Sequence, residues 1–150
     1  MLTRLICLLA VCSVACVPAS ETPKEGSAMP SSIVDPYLKI QSALAQDTVD
    51  GVRANAGQIA TAATSLGAPA MKIDTAALQL ASATEIEDAR TKFGTLSEAI
   101  VTYVDGLHLT LPEGVRVAIC PMVHKPWLQE GADVSNPYFG KSMLTCGDFR

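Results

Sequence analysis

Aromatic residues are scarce in this chain of 150 residues, at 5% of the sequence, whereas alanine occurs 21 times. Aromatic and β-branched side chains favour strands, and alanine has the highest helix propensity. The composition therefore favours closely packed helices and is untypical of a β-sandwich. A chain of this length has room for one compact domain.

An excess of basic residues is also missing, because 11 Lys and Arg stand against 15 Asp and Glu, for a net charge of -4. A phosphate-binding protein needs a basic surface patch, so we predict no nucleic-acid partner. The sequence contains no CxxC, GxSxG, HExxH or CxxCH motif. These motifs mark dithiol exchange, serine hydrolysis, zinc hydrolysis and haem attachment, and we therefore expect that the protein is not an enzyme.

The one continuous hydrophobic run, residues 5–14, is too short to span a bilayer and follows Arg4. These are the proportions of a signal peptide, which we place at residues 1–16. Small residues before Cys16 resemble the lipobox of bacterial lipoproteins, in which that cysteine is lipidated. Ordinary cleavage after Ala19 is the alternative.

Residues 17–32 are rich in Pro, Ser, Gly and Glu and predict a flexible tether. A lipid anchor followed by a tether would hold a domain of residues 33–150 at a membrane face. We therefore expect a periplasmic protein attached to the outer membrane through its lipid.

Hydrophobic residues recur at steps of three and four over residues 49–66 and again over residues 86–107. This spacing predicts two long amphipathic helices. A shorter helix is predicted over 70–82, and Asp35-Pro36 predicts the start of a first helix. Asp47 or Thr48, and the pair Thr84 and Glu87, have the character of further helix caps. We expect an all-α fold, an up-and-down three- or four-helix bundle.

The composition changes in the C-terminal segment, residues 115–150, which is rich in turn-forming residues such as those of Asn136-Pro137. Residues 115–119 alternate in a way compatible with an extended stretch. We expect an irregular loop segment packed on the bundle, with Trp127 in the core beneath it. In the alternative, the Trp127 ring covers a bound cation.

The side chains able to bind a soft metal gather in this segment. Cys120, Met122 and His124 are spaced by two, and Met143 precedes Cys146 by three. Sulfur ligands select Cu(I) over hard cations. Residues two apart in an extended stretch face the same way, as do residues three apart in a helical turn. The five residues are therefore candidate ligands of copper(I).

Cys120 and Cys146 could instead form a disulfide, which an oxidising compartment favours. In the chain-entropy model such a bond would contribute roughly 3.5 kcal/mol. Met122 and Met143 would then be ordinary core residues. Two free thiols with no role are a third possibility, and the spacing leaves all three open.

The sequence CPM, then WLQ, then NPYFGKSMLTCG resembles a family of uncharacterised bacterial periplasmic domains, found alone or fused to adaptor subunits of heavy-metal efflux pumps. DPYLKIQSAL and ARTKFGTLSEAI extend the resemblance over about residues 33–148, with less specificity. The resemblance implies a helical domain with a tail associated with the handling of copper and related metals. Cys120, Met122, Met143 and Cys146 match the tail motif, whereas His124 departs from it.

Together these observations predict a periplasmic protein that binds copper(I), for sequestration or for delivery to efflux components. The alternative is a disulfide-stapled module of the bacterial envelope that binds a partner without metal.

Overall fold

The protein was examined as a computed structural model that describes residues 23–150. Four helices are followed by a small sheet. The helices are α1 (Ser31–Ala45), α2 (Val52–Ser65), α3 (Met71–Ala81) and α4 (Ile86–Gly106), and the strands are β1 (Val115–Cys120), β2 (Lys125–Glu130) and β3 (Asp148–Phe149). Short 3-10 turns lie at Ala68–Ala70 and Gly140–Ser142.

The prediction of an all-α fold is wrong, since three strands form an antiparallel sheet in the order β2-β1-β3 and the fold is mixed α and β. The alternation at residues 115–119 did indicate β1. Its partner β2 was missed because it shows no alternation: Trp127, Leu128 and Gln129 are consecutive and all buried. Pro126 is tolerated because β2 is an edge strand of the sheet.

The register of the sheet determines which residues of the C-terminal segment, called the tail below, are neighbours. Cys120, the last residue of β1, pairs with Lys125 at the start of β2, and Ile119 pairs with Asp148 of β3 on the other side. The chain reaches β3 two residues after Cys146. The register therefore brings the start of β2 and the start of β3 to the end of β1 at which Cys120 lies.

The helix starts differ from those predicted. α1 begins at Ser31, four residues before Asp35, and Pro36 lies within the helix. The buried side chains of Ile33 and Val34 account for the earlier start, since they pack in the core. α2 begins after Gly51 rather than at residue 47 or 48, because Asp47 and Gly51 both have positive φ angles.

The predicted capping box before α4 does not form, because no side chain donates to or accepts from the N-terminus of that helix. The extents of α3 and α4 otherwise agree with the prediction to within a residue or two.

The stretch before α1 is joined to the domain. The backbone N–H of Gly26 donates to the Leu107 carbonyl at 3.1 Å, that of Met29 donates to the Thr110 carbonyl at 2.8 Å, and the Met29 side chain is buried. Part of the predicted tether thus belongs to the folded unit. The signal peptide at residues 1–16 and the lipidation of Cys16 lie outside the described residues.

Alanines fill many contacts between the helices, as the composition suggested. Ala56, Ala63, Ala77 and Ala89 are fully buried. None of the helices in residues 23–150 combines the length and apolar character needed to cross a membrane.

Gly94, which interrupts the hydrophobic pattern of α4, lies where the sheet crosses that helix. A Cβ atom at this position would lie 2.6 Å from Cδ of Lys125 and 3.4 Å from Cε1 of Tyr138. The glycine therefore lets β2 and the tail approach α4 closely. Lys125 continues past it to form an ion pair with Glu98, at 2.6 Å.

Candidate metal-binding site in the C-terminal segment

Asn136 lies at the centre of the C-terminal segment and is fully buried. Its side-chain Nδ2 donates to Sγ of Cys120 at 3.3 Å and to the carbonyl oxygen of Cys146 at 2.6 Å. One amide group therefore contacts both cysteines. Two residues 26 positions apart in sequence are brought together in a single cluster.

The remaining polar groups of Asn136 are also satisfied. Oδ1 accepts from the Tyr138 N–H at 2.8 Å, which is the turn expected for Asn136-Pro137. The Asn136 N–H donates to the Leu144 carbonyl at 2.7 Å, and its carbonyl accepts from Gly140. Because every polar group of Asn136 has a partner, the orientation of the amide towards the cysteines is fixed.

The two cysteines differ in exposure. Cys120 is 0% exposed, whereas Cys146 is partly exposed. Both are free thiols in the structure. Access from solvent to this pair is therefore through Cys146.

Met122 and His124 lie in the turn that joins β1 to β2. The strand ends at Cys120, and the His124 N–H donates to the Cys120 carbonyl at 2.9 Å. His124 has a φ of 54° and is exposed, and Met122 is 59% exposed. The alternation that would align these two side chains with Cys120 does not continue through the turn.

Met143 and Cys146 belong to one tight turn. The Cys146 N–H donates to the Met143 carbonyl at 3.0 Å, and Met143 is half-buried just after the 3-10 turn. The predicted helical turn between these residues is thus a single hydrogen-bonded turn. Of the two methionines, Met143 is the one tied through the backbone to a cysteine.

Aromatic side chains pack beneath the cysteine cluster. Trp127 is fully buried, as predicted, and its ring stands edge-on to that of Tyr138 at 5.9 Å between centroids. Tyr138 in turn packs against Phe93 of α4, and Phe93 stacks on Tyr37 of α1. This row of rings connects the tail to the helices through apolar contacts.

The hydroxyl groups of these tyrosines are held by specific partners. Tyr37 and Ser97 are hydrogen-bonded at 2.6 Å, and the Leu128 N–H donates to the Tyr37 hydroxyl at 3.1 Å. The Tyr138 hydroxyl donates to the Pro126 carbonyl at 2.6 Å. Burial raises the pKa of both tyrosines well above the ordinary value, so both remain protonated.

An ion pair fastens the tail to the helices. Arg90 of α4 pairs with Asp47 at 2.5 Å and also donates to the Pro137 carbonyl at 3.1 Å. The Asp47 carboxylate accepts from the Lys141 N–H. The hydrogen bond from Arg90 lowers the pKa of Asp47. Gly140 passes directly over this pair, where a Cβ atom would collide with both side chains.

Within residues 23–150, no group of three or more His, Cys, Asp or Glu side chains is placed to hold a metal ion. The chemistry available at this cluster is therefore that of two thiols, with Met122 and Met143 close to them in sequence. Thiolate and thioether ligands suit Cu(I). Three or four ligands of the kind that zinc takes are not gathered among these residues.

Asn136 is the residue of this cluster that the sequence did not indicate as functional. Asn-Pro is a common turn dipeptide, so its pattern predicts a surface turn. The one available signal is its position between the two cysteines.

Neither a known protein-family model nor a curated protein or solved structure matches this chain. The resemblance of the tail to periplasmic domains therefore remains a prediction.

Proposed function

We propose that this protein binds a soft metal ion, copper(I), at the cluster formed by Cys120 and Cys146, and that it sequesters the ion or delivers it to efflux. The observation that carries the proposal is the shared Asn136 amide, which contacts the Cys120 sulfur and the Cys146 carbonyl. Both cysteines are free, and one amide contacts the sulfur of Cys120 and the backbone of Cys146, which suits a site built on two thiolates.

The surroundings of the thiols support this proposal. A donor aimed at the Cys120 sulfur makes a charge-assisted hydrogen bond once the sulfur is a thiolate. Such partners of a metal ligand orient it and tune its affinity. Met143 shares a hydrogen-bonded turn with Cys146, and Met122, two residues after Cys120, is a second, more exposed thioether.

The proposed mechanism is ligand exchange. The ion enters on the partly exposed side, at Cys146, and each thiol loses its proton on binding. Cys120 completes the coordination from the buried side. Release begins when a weaker thioether ligand, Met143 or Met122, gives way to a ligand of the acceptor. His124, exposed in the turn, is a candidate ligand on the acceptor side.

A second candidate is a module that binds an envelope partner while stapled by a Cys120–Cys146 disulfide. Four of the six exposed large hydrophobic side chains among the described residues lie within three residues of Cys120 or Cys146 in sequence, namely Ile119, Met122, Val123 and Leu144. Exposed apolar side chains that gather in one region are typical of an interaction surface. The two candidates predict different states of Cys120 and Cys146 in the functional protein. The metal site needs two free thiols, and the stapled module needs a disulfide.

The test is a competition between the reduced full chain and a chromophoric Cu(I) chelator. The three cysteines of the predicted signal peptide, Cys7, Cys12 and Cys16, are first replaced by serine, so that Cys120 and Cys146 are the only thiols. We expect this protein to remove one Cu(I) per chain from the chelator. Cys120→Ser and Cys146→Ser should each lose this ability.

Failure of the two-thiol protein to compete, or undiminished competition by both serine variants, would overturn the proposal. A thiol count on protein isolated without reductant separates the two candidates. Two reactive thiols after unfolding favour the metal site, and none favours the stapled module.

A further inference from the structure

The two cysteines of the cluster occupy unequal positions. Cys120 ends the central strand of the sheet and is 0% exposed, while Cys146 lies in the irregular stretch before β3 and is partly exposed. A disulfide reagent in solution can therefore reach one of them before the other. Exposure is one of the factors that set the rate of thiol–disulfide exchange.

Their proximity suits an intramolecular second step. The Asn136 amide contacts the Cys120 sulfur and the Cys146 carbonyl, and Ile119, the neighbour of Cys120, pairs with Asp148. These contacts hold the Cys146 backbone close to the Cys120 sulfur, and we expect a group attached to the Cys146 side chain to come within reach of that sulfur. A reaction between groups held together in this way is much faster than the same reaction between separate molecules.

We propose that Cys146 and Cys120 react in a fixed order with a small-molecule disulfide such as glutathione disulfide: Cys146 is the attacking thiol, and Cys120 is the resolving thiol. This is a modification site with its own chemistry, and it does not require that the protein bind metal.

In the first step the Cys146 thiolate attacks one sulfur of the reagent. A Cys146 mixed disulfide forms, the S–S bond of the reagent breaks, and one thiol leaves with the proton that Cys146 gave up. In the second step the Cys120 thiolate attacks the Cys146 sulfur and displaces the second thiol. Two protein thiols have then lost two electrons, and one disulfide has been reduced to two thiols.

Asn136 has a positioning role in this sequence. Its amide holds the Cys120 sulfur and the Cys146 backbone at the same time, so the second step needs little rearrangement of the chain. Gly147, next to Cys146, has a φ of +153° and lies so close to Trp127 that a side chain would not fit. This close approach keeps the Cys146 stretch against the sheet.

The experiment uses the full chain with Cys7, Cys12 and Cys16 replaced by serine, reduced, freed of metal and mixed with glutathione disulfide. Samples are quenched at intervals and their intact masses measured. We expect a transient adduct of one glutathione, which peptide mapping places on Cys146. It should be followed by a species without glutathione and two hydrogens lighter than the reduced protein.

Single variants separate the two roles. Cys120→Ser should stop at a stable adduct of one glutathione, because the resolving thiol is gone. Cys146→Ser should form no adduct in the time that converts Cys120→Ser completely. In urea, where burial is lost, the two variants should react alike.

The proposal is overturned if folded Cys146→Ser reacts as fast as Cys120→Ser, if Cys146→Ser stays unreactive in urea, or if the two-thiol protein ends as a stable mixed disulfide. The mapping of the transient adduct requires no variant at either cysteine, so it decides the order even where a serine variant does not fold. Because no metal is present, a failure to bind Cu(I) leaves these outcomes unchanged.

Discussion

At the scale of single residues, Asn136 connects the architecture of the tail to its chemistry. Its side-chain amide is fully buried and has three hydrogen-bonding partners in the tail, two of which belong to Cys120 and Cys146. Buried polar groups are costly unless they are satisfied, and a satisfied network fixes one arrangement of its members. Asn136 therefore fixes the position of the Cys120 sulfur relative to the Cys146 backbone.

Replacing Asn136 by alanine tests this role. We expect Asn136→Ala to lower the free energy of unfolding by about 1–3 kcal/mol, because buried acceptors lose their donor. We also expect a loss in Cu(I) affinity of roughly tenfold or more, as for other partners of metal ligands.

Urea unfolding and chelator competition measure the two effects of Asn136→Ala. The matched control is Asn55→Ala in α2, which also removes a side-chain amide bonded to a backbone carbonyl, that of Gly51 just before the helix. Equal Cu(I) affinities for the two alanine variants would contradict the role assigned to Asn136.

The methionines provide a second test at this scale. Met143→Ala should weaken Cu(I) binding by about tenfold, or about 1.4 kcal/mol. Met122→Ala should have the smaller effect, because Met122 lies in an exposed turn. Met71, which is 62% exposed on α3, provides the control, since Met71→Ala should leave the affinity unchanged. A Met143→Ala protein that competes as well as Met71→Ala would remove thioether coordination from the mechanism.

At the scale of elements, the 3-10 turn at Gly140–Ser142 joins the tail to α1 and α4. Gly140 has a φ of +55° and passes over the Asp47–Arg90 pair. We expect Gly140→Ala to lower the free energy of unfolding by about 1–3 kcal/mol, since it introduces backbone strain and displaces the ion pair.

The control for Gly140 is Gly57→Ala, at a position in α2 where a Cβ would meet no atom within 4 Å. That variant should gain about 0.5–1 kcal/mol, because alanine is the better helix former. Chemical denaturation of both proteins measures the difference. If Gly140→Ala proved as stable as Gly57→Ala, the stability of the protein would not depend on the close passage of Gly140 over the Asp47–Arg90 pair.

The same ion pair predicts a dependence on pH. Since the hydrogen bond from Arg90 lowers the pKa of Asp47 in the folded state, the carboxylate contributes stability above the ordinary value of 3.8. This contribution is lost as the pH falls through the lowered value. Wild type should therefore be more stable than Asp47→Asn at neutral pH, and the difference should shrink below pH 3.8.

Urea midpoints measured from neutral to acidic pH test this dependence. A difference between wild type and Asp47→Asn that stays constant across the range would show that the pair does not act through the charge of Asp47.

The elements also show which parts of this fold the sequence predicts. The sequence predicts the bounds of α3 and α4 to within a residue or two, because the three-four spacing of buried residues is a strong local signal. The sequence misplaces the start of α1, because Asp35-Pro36 is typical of a helix start, whereas the helix already contains the buried residues Ile33 and Val34. The sheet depends on β2, which carries three consecutive buried residues, and on β3, which has only two residues.

The turn between β1 and β2 gave no sequence signal either. His124 adopts a positive φ there, where glycine or asparagine would mark a tight turn. Strand pairing between distant segments, such as Ile119 with Asp148, has no periodic pattern in the sequence at all.

At the scale of the whole molecule, the helices and the tail have different roles. The helices form an alanine-packed support. The tail provides the two thiols, Met122 and Met143, and the buried Asn136 amide that contacts both cysteines. The concentration of these side chains in residues 115–150 could be predicted from composition. Their arrangement could not, because it depends on Asn136 reaching two cysteines through a fold with long-range strand pairs.

The central claim is that a soft metal ion binds between Cys120 and Cys146, and copper K-edge X-ray absorption tests it most directly. The full chain without the three cysteines of the predicted signal peptide, loaded with one equivalent of Cu(I), should show scattering dominated by sulfur. Cys120→Ser and Cys146→Ser should each lose part of that sulfur signal, and Met71→Ala should retain all of it. A first shell of nitrogen or oxygen, or sulfur scattering that survives in both serine variants, would contradict the account.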